Sequence, residues 1–321
     1  MLVVEFEKGT VVLKQAPMPK RRPGEALIRL LAAGICNTDL ELLRGYYNFQ
    51  GRPGHEFVGE VVESSTPELV GHRVVGEINI GCGRCSLCRA GDPRHCSSRR
   101  VLGILNYPGV FAEYFTLPDR NLHVLPRTIP TDHGVFVEPL AAANEILEQV
   151  RIPKGAPVAV LGDGKLGLLI AQVLTAHGAE VHLFGRHPSK LALARRWKIR
   201  TRLSSQGPAK AAFQWVVEAT GSPEGLGAAL ELVQPRGTII AKTTLHGAVP
   251  LDISRVVVNE VTIVGSRCGR FPPAIRLLQR RSVDVAPLVT ARMPLSQAQE
   301  AFQLAAEPGT LKVLLVPDGT I

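Results

Sequence analysis

Cys82, Cys85, Cys88 and Cys96 lie in one Gly- and Arg-rich stretch, GCGRCSLCRAGDPRHC, with two residues between each of the first three. Zinc holds thiolate sulfur at about 2.3 Å, and its closed structural sites are built from such closely spaced cysteines. Gly81, Gly83 and Gly91 supply the backbone freedom for a wrap around one ion, since a residue without Cβ tolerates positive φ. The alternative is a pair of disulfides. Against it, the amino terminus MLVVEFEKGT has no basic run followed by an apolar core and a small-residue cleavage site, so the expected compartment is cytoplasmic. Thiols there stay reduced, and a dense cluster reads as metal ligands.

A second group of ligand types is spread more widely: Cys36 in GICNTDLE, the adjacent pair His55 and Glu56 in PGHEFVGE, and Glu138 in VEPLAAA. Taken singly they carry little information, because a lone cysteine is commonly a packed thiol. Cys268 reads as one of these.

The run GDGKLG (Gly162, Gly164, Lys165, Leu166 and Gly167, with Asp163 between the first two glycines) follows the apolar strand PVAVL and opens an apolar helix. In that context the glycines serve the turn, the close approach of a pyrophosphate, and helix-to-strand packing, with the helix N-terminus facing the phosphates. Dinucleotide folds that take NAD carry Asp or Glu about 20 residues further on to bind the ribose hydroxyls. Here the chain reads FGRH, with no carboxylate. Gly185 leaves space, and Arg186, with His187 and Lys190, can meet a 2′-phosphate by charge-assisted hydrogen bonds. NADP is therefore expected over NAD.

These residues need two kinds of scaffold. At 321 residues the chain is long for one core, and about 150 residues per domain suggests two. From Met1 to about Ala143, β-branched runs such as Val58 to Glu63, Arg73 to Ile78 and Gly109 to Leu117 are broken by Pro and Gly, which predicts an antiparallel domain. After Arg151, short apolar strands alternate with helical segments: Pro157 to Leu161, helix Lys165 to His177, then strands at Glu180 to Phe184, Trp215 to Glu218, Thr238 to Ala241 and Thr262 to Gly265. That alternation predicts a parallel sheet. Helices are expected at Pro273 to Arg281 and Ser296 to Ala306, and a last strand at Lys312 to Val316. The net charge of +9 is spread along the chain without a long basic tract, which argues against a nucleic-acid partner, and no apolar run reaches the length of a membrane span.

Taken in order, GICNTD, GHEFVGEVVE, the four-cysteine lobe, VFAEYFTLP, VEPLA, GDGKLGLL, VVEATGSPE and LKVLL resemble the zinc-dependent medium-chain alcohol dehydrogenases over nearly the whole chain. The glutamate at 138 makes it most similar to the polyol, sugar and threonine dehydrogenases. The resemblance implies an α/β protein. A GroES-like β catalytic domain would span 1–143 and 271–321, with a structural zinc lobe at about 81–97, and a Rossmann doubly wound parallel sheet would span 144–270. It also implies a catalytic zinc on Cys36 and His55, with Glu56 and Glu138 where relatives place carboxylates that ligate directly or in exchange with water. Thr38 would stand at the proton relay, which needs a hydroxyl that both donates and accepts, and Asp39 would orient His55. The alternative for Thr38 is a plain helix N-cap. Glu41 stands near where relatives continue the relay.

Cofactor contacts are expected at Thr220, Thr243, Ser266 and Arg267, with Lys312 on the pyrophosphate. Tyr46, Tyr47, Asn48 and Phe49 are candidate pocket walls, faced by Asn106 and Tyr107. The implied reaction interconverts an alcohol, such as a polyol, sugar or cyclitol, and its carbonyl compound by hydride transfer with NAD(P). A threonine-type amino-alcohol dehydrogenase is the nearest alternative, and a zinc-stabilised nucleotide sensor without turnover is a third. The family likeness implies a homodimer or homotetramer.

Overall fold

The computed structural model describes residues 1–206, 211–245 and 248–320. The chain divides into two compact units. The first holds Met1–Glu138, Phe271–Arg280 and the chain from Leu288 onward; the second holds Pro139–Arg270 and Arg281–Pro287.

In the first unit the strand Glu25–Gly34, EALIRLLAAG, is buried along most of its length. It pairs antiparallel with Glu56–Glu63, Tyr114–Pro118 and Lys312–Val316. Close strand packing needs Gly59, where a Cβ would lie 2.3 Å from Ile28 Cγ2. The sheet is not wholly antiparallel, as its strand Val289–Pro294 runs parallel to Lys312–Val316. That strand carries Thr290, Arg292 and Pro294 among its apolar residues, so its pattern is weak in the sequence. The helix Ala298–Ala306 packs back on the amino-terminal strands, with Phe302 edge-on to Phe6 at 5.2 Å and to Phe111 at 5.9 Å.

Among the described residues of the second unit, six strands form a parallel sheet in the order Arg200–Leu203, Glu180–Gly185, Pro157–Leu161, Phe213–Glu218, Val233–Ala241, Thr262–Gly265. Pro157–Leu161 is flanked by later strands on both sides, so the chain reverses direction of winding there. In such sheets ligands bind at the carboxyl ends of the strands at that reversal. Arg200–Leu203, RTRL, is an edge strand whose alternating arginines face out, and no apolar run announces it. The helix Lys165–His177 buries Gly167 to Leu174 and stops at Gly178, whose φ of 103° suits glycine.

The expected boundary at 143 falls inside the helix Val137–Gln149, whereas contacts divide the chain at Glu138. Residues 281–287 belong with the second unit because Asp284 and Gln172 exchange hydrogen bonds, Asp284 N–H to Gln172 Oε1 at 2.6 Å and Gln172 Nε2 to the Asp284 carbonyl at 3.1 Å. Among the described residues no helix is long and apolar enough to cross a membrane.

Candidate active site and cofactor site

The lobe sits between the short strands Asn79–Ile80 and Arg100–Leu102, which pair antiparallel. Its four sulfurs lie within 4.8 Å of one another, and all four residues are free thiols. Backbone N–H groups point at sulfur, among them Cys82 N at Cys96 Sγ (3.4 Å) and Cys88 N at Cys85 Sγ (3.5 Å). The backbone N–H groups of Arg84 and Cys85 pull the Cys82 thiol down to about 6, while partial burial pushes Cys88 up to about 11. Four sulfurs this close cannot all be thiolates without a cation among them, and the donor set suits zinc. A Cβ at Gly81 would lie 2.7 Å from Cys88 Sγ, and Arg120 Nη2 donates to the Gly81 carbonyl at 2.7 Å.

The second centre is assembled by strand register. Gly34 pairs with Glu56 on one side and with Leu314 on the other, which brings Cys36, His55, Glu56 and Lys312 together from three strands. Cys36, His55 and Glu56 place one ligand atom each within 4.8 Å of the others. Cys36 is the N-cap of the helix Asn37–Leu43, so Thr38 lies inside the first turn and is not the cap. The Thr38 hydroxyl lies 3.8 Å from the Cys36 sulfur.

Asp39 is fully buried and accepts the Cys36 N–H at 2.8 Å and the Gly54 N–H at 3.2 Å. Its Oδ1 also lies 3.3 Å from His55 Nδ1, near enough for charge attraction although not aligned as a hydrogen bond. Burial opposes a charge on His55, but Asp39 and then Cys36 outweigh it, so its pKa stands well above the usual histidine value. Glu56 Oε1 is buried with no hydrogen-bond partner. An orphaned carboxylate oxygen beside a thiol and an imidazole fits a bound cation.

Several expected placements differ. Glu138, in the first turn of its helix, is not part of the group gathered around Cys36. Lys312, expected on a pyrophosphate, is 1 % exposed and forms an ion pair with Glu56 Oε2, because the register of its strand sets it there. Burial opposes its charge, yet Glu56 and then Cys36 hold its pKa above the usual lysine value. Glu41 forms an ion pair with Arg44 at 2.8 Å. Tyr107 is buried, its hydroxyl within hydrogen-bond reach of Glu25 Oε1 (3.2 Å) and the Thr116 carbonyl (3.3 Å). Tyr46–Asn48 forms a tight turn in which Tyr47 and Asn48 take positive φ of 60° and 47°, leaving Tyr47 exposed.

In the second unit the glycine-rich turn has the packing a dinucleotide needs. Gly162 has φ +112° with the Ala219 carbonyl 2.3 Å from where a Cβ would be. A Cβ at Gly167 would lie 1.9 Å from the Gly162 carbonyl oxygen, so helix and turn touch backbone to backbone. At Gly164 nothing lies within 4 Å, and no side chain caps the start of the helix that Lys165 and Leu166 open. That open cradle at an uncapped helix N-terminus fits a pyrophosphate.

Gly185, Thr220, Thr243, Ser266 and Arg267 all stand at or just past carboxyl ends of the parallel strands. The hydroxyls of Thr220 and Thr243 both donate to Glu218 Oε1, at 2.7 and 2.8 Å, and the Gly221 N–H donates to Thr243 Oγ1 at 3.0 Å. Ser266 and Arg267 are held by the buried Lys242, whose Nζ donates to Ser266 Oγ (3.1 Å) and to the Arg267 and Ala142 carbonyls (2.9 and 2.7 Å). Arg186 is exposed and Lys190 half-buried in the next helix, Pro188–Arg196.

His187 turns to Asp163, and this corrects the expectation that no carboxylate is available at that strand end. Glu218 and Lys242 also belong to this site without having been expected there. Only Glu218 carries a sequence signal, an acid closing an apolar strand directly before Ala-Thr-Gly.

Residues 22–127 match the family described as alcohol dehydrogenase GroES-like domain, and residues 166–280 that described as zinc-binding dehydrogenase. The chain is 31 % identical to D-altritol 5-dehydrogenase of Agrobacterium fabrum, with 98 % of each chain covered. It is 29 % identical to L-threonine 3-dehydrogenase of Pyrococcus horikoshii, covering 95 % of this chain and 94 % of the relative. Among solved structures, a zinc-binding dehydrogenase of Sinorhizobium meliloti bound to NADP superposes with a TM-score of 0.89 at 29 % identity, over 98 % of this chain and 99 % of that one. The two-unit fold, the paired cysteine centres and these matches together make the chain a member of the zinc-dependent medium-chain alcohol dehydrogenases, NAD(P)-linked oxidoreductases, in the branch of the polyol and threonine dehydrogenases.

Proposed function

We propose that the protein oxidises a secondary alcohol of a polyol or related hydroxylated compound to the carbonyl compound, and the reverse, with NADP preferred over NAD. The observation that carries it is the close trio of half-buried Cys36 with buried His55 and Glu56, Glu56 Oε1 being unpartnered, in a chain 31 % identical to a polyol dehydrogenase. When bound there, zinc polarises the alcohol oxygen and a nicotinamide takes up the hydride.

The chain's own residues hold and steer. Asp39 fixes His55 and the backbone at Cys36, which sets the direction of both ligands. Thr38 receives the alcohol proton, since its hydroxyl lies beside Cys36 and can accept and donate at once. Glu41 is engaged by Arg44, so the proton leaves Thr38 through water. Glu138 serves as the exchangeable carboxylate, and Arg186 as the contact to a 2′-phosphate.

The edge strand Thr262–Gly265 and the exposed Ile253, Val257 and Val258 support a homodimer joined along that sheet edge. A turnover screen of polyols, sugars, simple alcohols and threonine tests the substrate class. Polyol turnover with metal analysis giving two zinc ions per chain is expected. Turnover of threonine alone would move the protein to the amino-alcohol group, and a folded chain with zinc only in the lobe would sink the catalytic centre.

A further inference from the structure

The strand end at Gly185 lacks a side chain, but its space is filled. A Cβ there would lie 2.5 Å from Asp163 Cβ and Oδ2 and 2.6 Å from its Cγ, so the carboxylate of the glycine-rich turn occupies the place of a residue-185 side chain. Asp163 and any larger residue at 185 exclude each other. Asp163 is 5 % exposed, and a charge that buried needs donors. His187 supplies them: its backbone N–H reaches Asp163 Oδ2 at 2.7 Å, and its ring Nδ1 lies 3.1 Å from both carboxylate oxygens. Between them in sequence Arg186 is exposed, with the Glu224 carboxyl near enough to feel its charge.

We propose that the Asp163–His187 pair determines which dinucleotide the chain accepts, by placing a carboxylate at the ribose-reading strand end and then occupying it. Held by His187, Asp163 is not offered to ribose hydroxyls, and Arg186 is left as the group that meets the 2′ position. Freed from His187, the same carboxylate would accept those hydroxyls and repel a 2′-phosphate. Asp163 thus acts as a concealed NAD determinant that His187 masks. The inference rests on the dinucleotide reading above and does not depend on the substrate.

Fluorescence titration with NADPH and NADH tests it on the zinc-loaded full chain and on the variants His187→Ala and Asp163→Asn, with thermal unfolding to confirm that both fold. His187→Ala is expected to shift the ratio of the two dissociation constants toward NADH by about tenfold, and Asp163→Asn to shift it severalfold toward NADPH. If both variants fold and leave the ratio within about twofold of wild type, the proposal is overturned. Tighter NADH binding by the wild type would remove the NADP preference while the shifts still report on the pair. Binding of neither nucleotide would overturn both readings.

Discussion

The four-cysteine lobe draws all its ligand atoms from the single stretch Cys82 to Cys96, whereas the centre at Cys36 is assembled from the ends of separate strands. In the lobe the neighbours of sulfur are backbone N–H groups and a glycine that must stay small. Around Cys36 they are charged side chains, Asp39 behind His55 and Lys312 behind Glu56, all buried. A saturated thiolate set leaves no room for a substrate oxygen and fixes a loop; a mixed set with an unpartnered carboxylate oxygen leaves the freedom that chemistry requires. Cysteine therefore serves opposite ends in the two centres, and its fellow ligands and surroundings decide which.

The contrast breaks first at Cys36. Cys36→Ser is expected to lower turnover by about a thousandfold or more while circular dichroism and the unfolding temperature stay close to wild type. Comparable turnover in the variant would mean the open centre is misplaced. The lobe should respond the other way: Cys96→Ser, checked by metal analysis and calorimetry, loses one zinc and lowers the unfolding temperature by about 10 °C. Should that variant keep its stability and lose only turnover, the division of labour between the two centres is wrong.

Smaller changes sharpen the picture. Asp39→Asn keeps the shape behind His55 and removes the charge, so zinc affinity at the open centre and turnover are expected to fall about 10- to 100-fold with the lobe zinc retained. Gly34→Ala sets a methyl group 2.6 Å from Glu56 Oε2 and 3.0 Å from the Lys312 stem, which should cost about 1–3 kcal/mol in denaturant unfolding. Glu41→Gln, which touches only the exposed pair with Arg44, is expected to change kcat by less than about twofold. A large loss there would return Glu41 to the proton path.

Much of the scaffold is legible in the residues because local pattern and tertiary environment agree. The strands Pro157–Leu161 and Lys312–Val316 and the helix Lys165–His177 fall where their apolar runs and flanking glycines place them. The strands Arg200–Leu203 and Val289–Pro294 do not, since an edge or half-exposed strand needs no continuous apolar run and takes its identity from its partner. The same limit governs the site. Ligands that share a short stretch are visible by spacing, and Glu41, close to Cys36 in sequence, is not thereby part of its group in space.

The lobe, the glycine-rich turn and the alternation that builds a parallel sheet are legible from the residues alone, because each depends on contacts within some tens of residues. It takes the folded chain to pair Lys312 with Glu56, to gather the hydroxyls of Thr220 and Thr243 on Glu218, and to set Asp163 in the space beside Gly185. The reason is physical: a buried charge takes whatever partner the strand register brings within reach, and register is a property of the folded sheet rather than of any one segment.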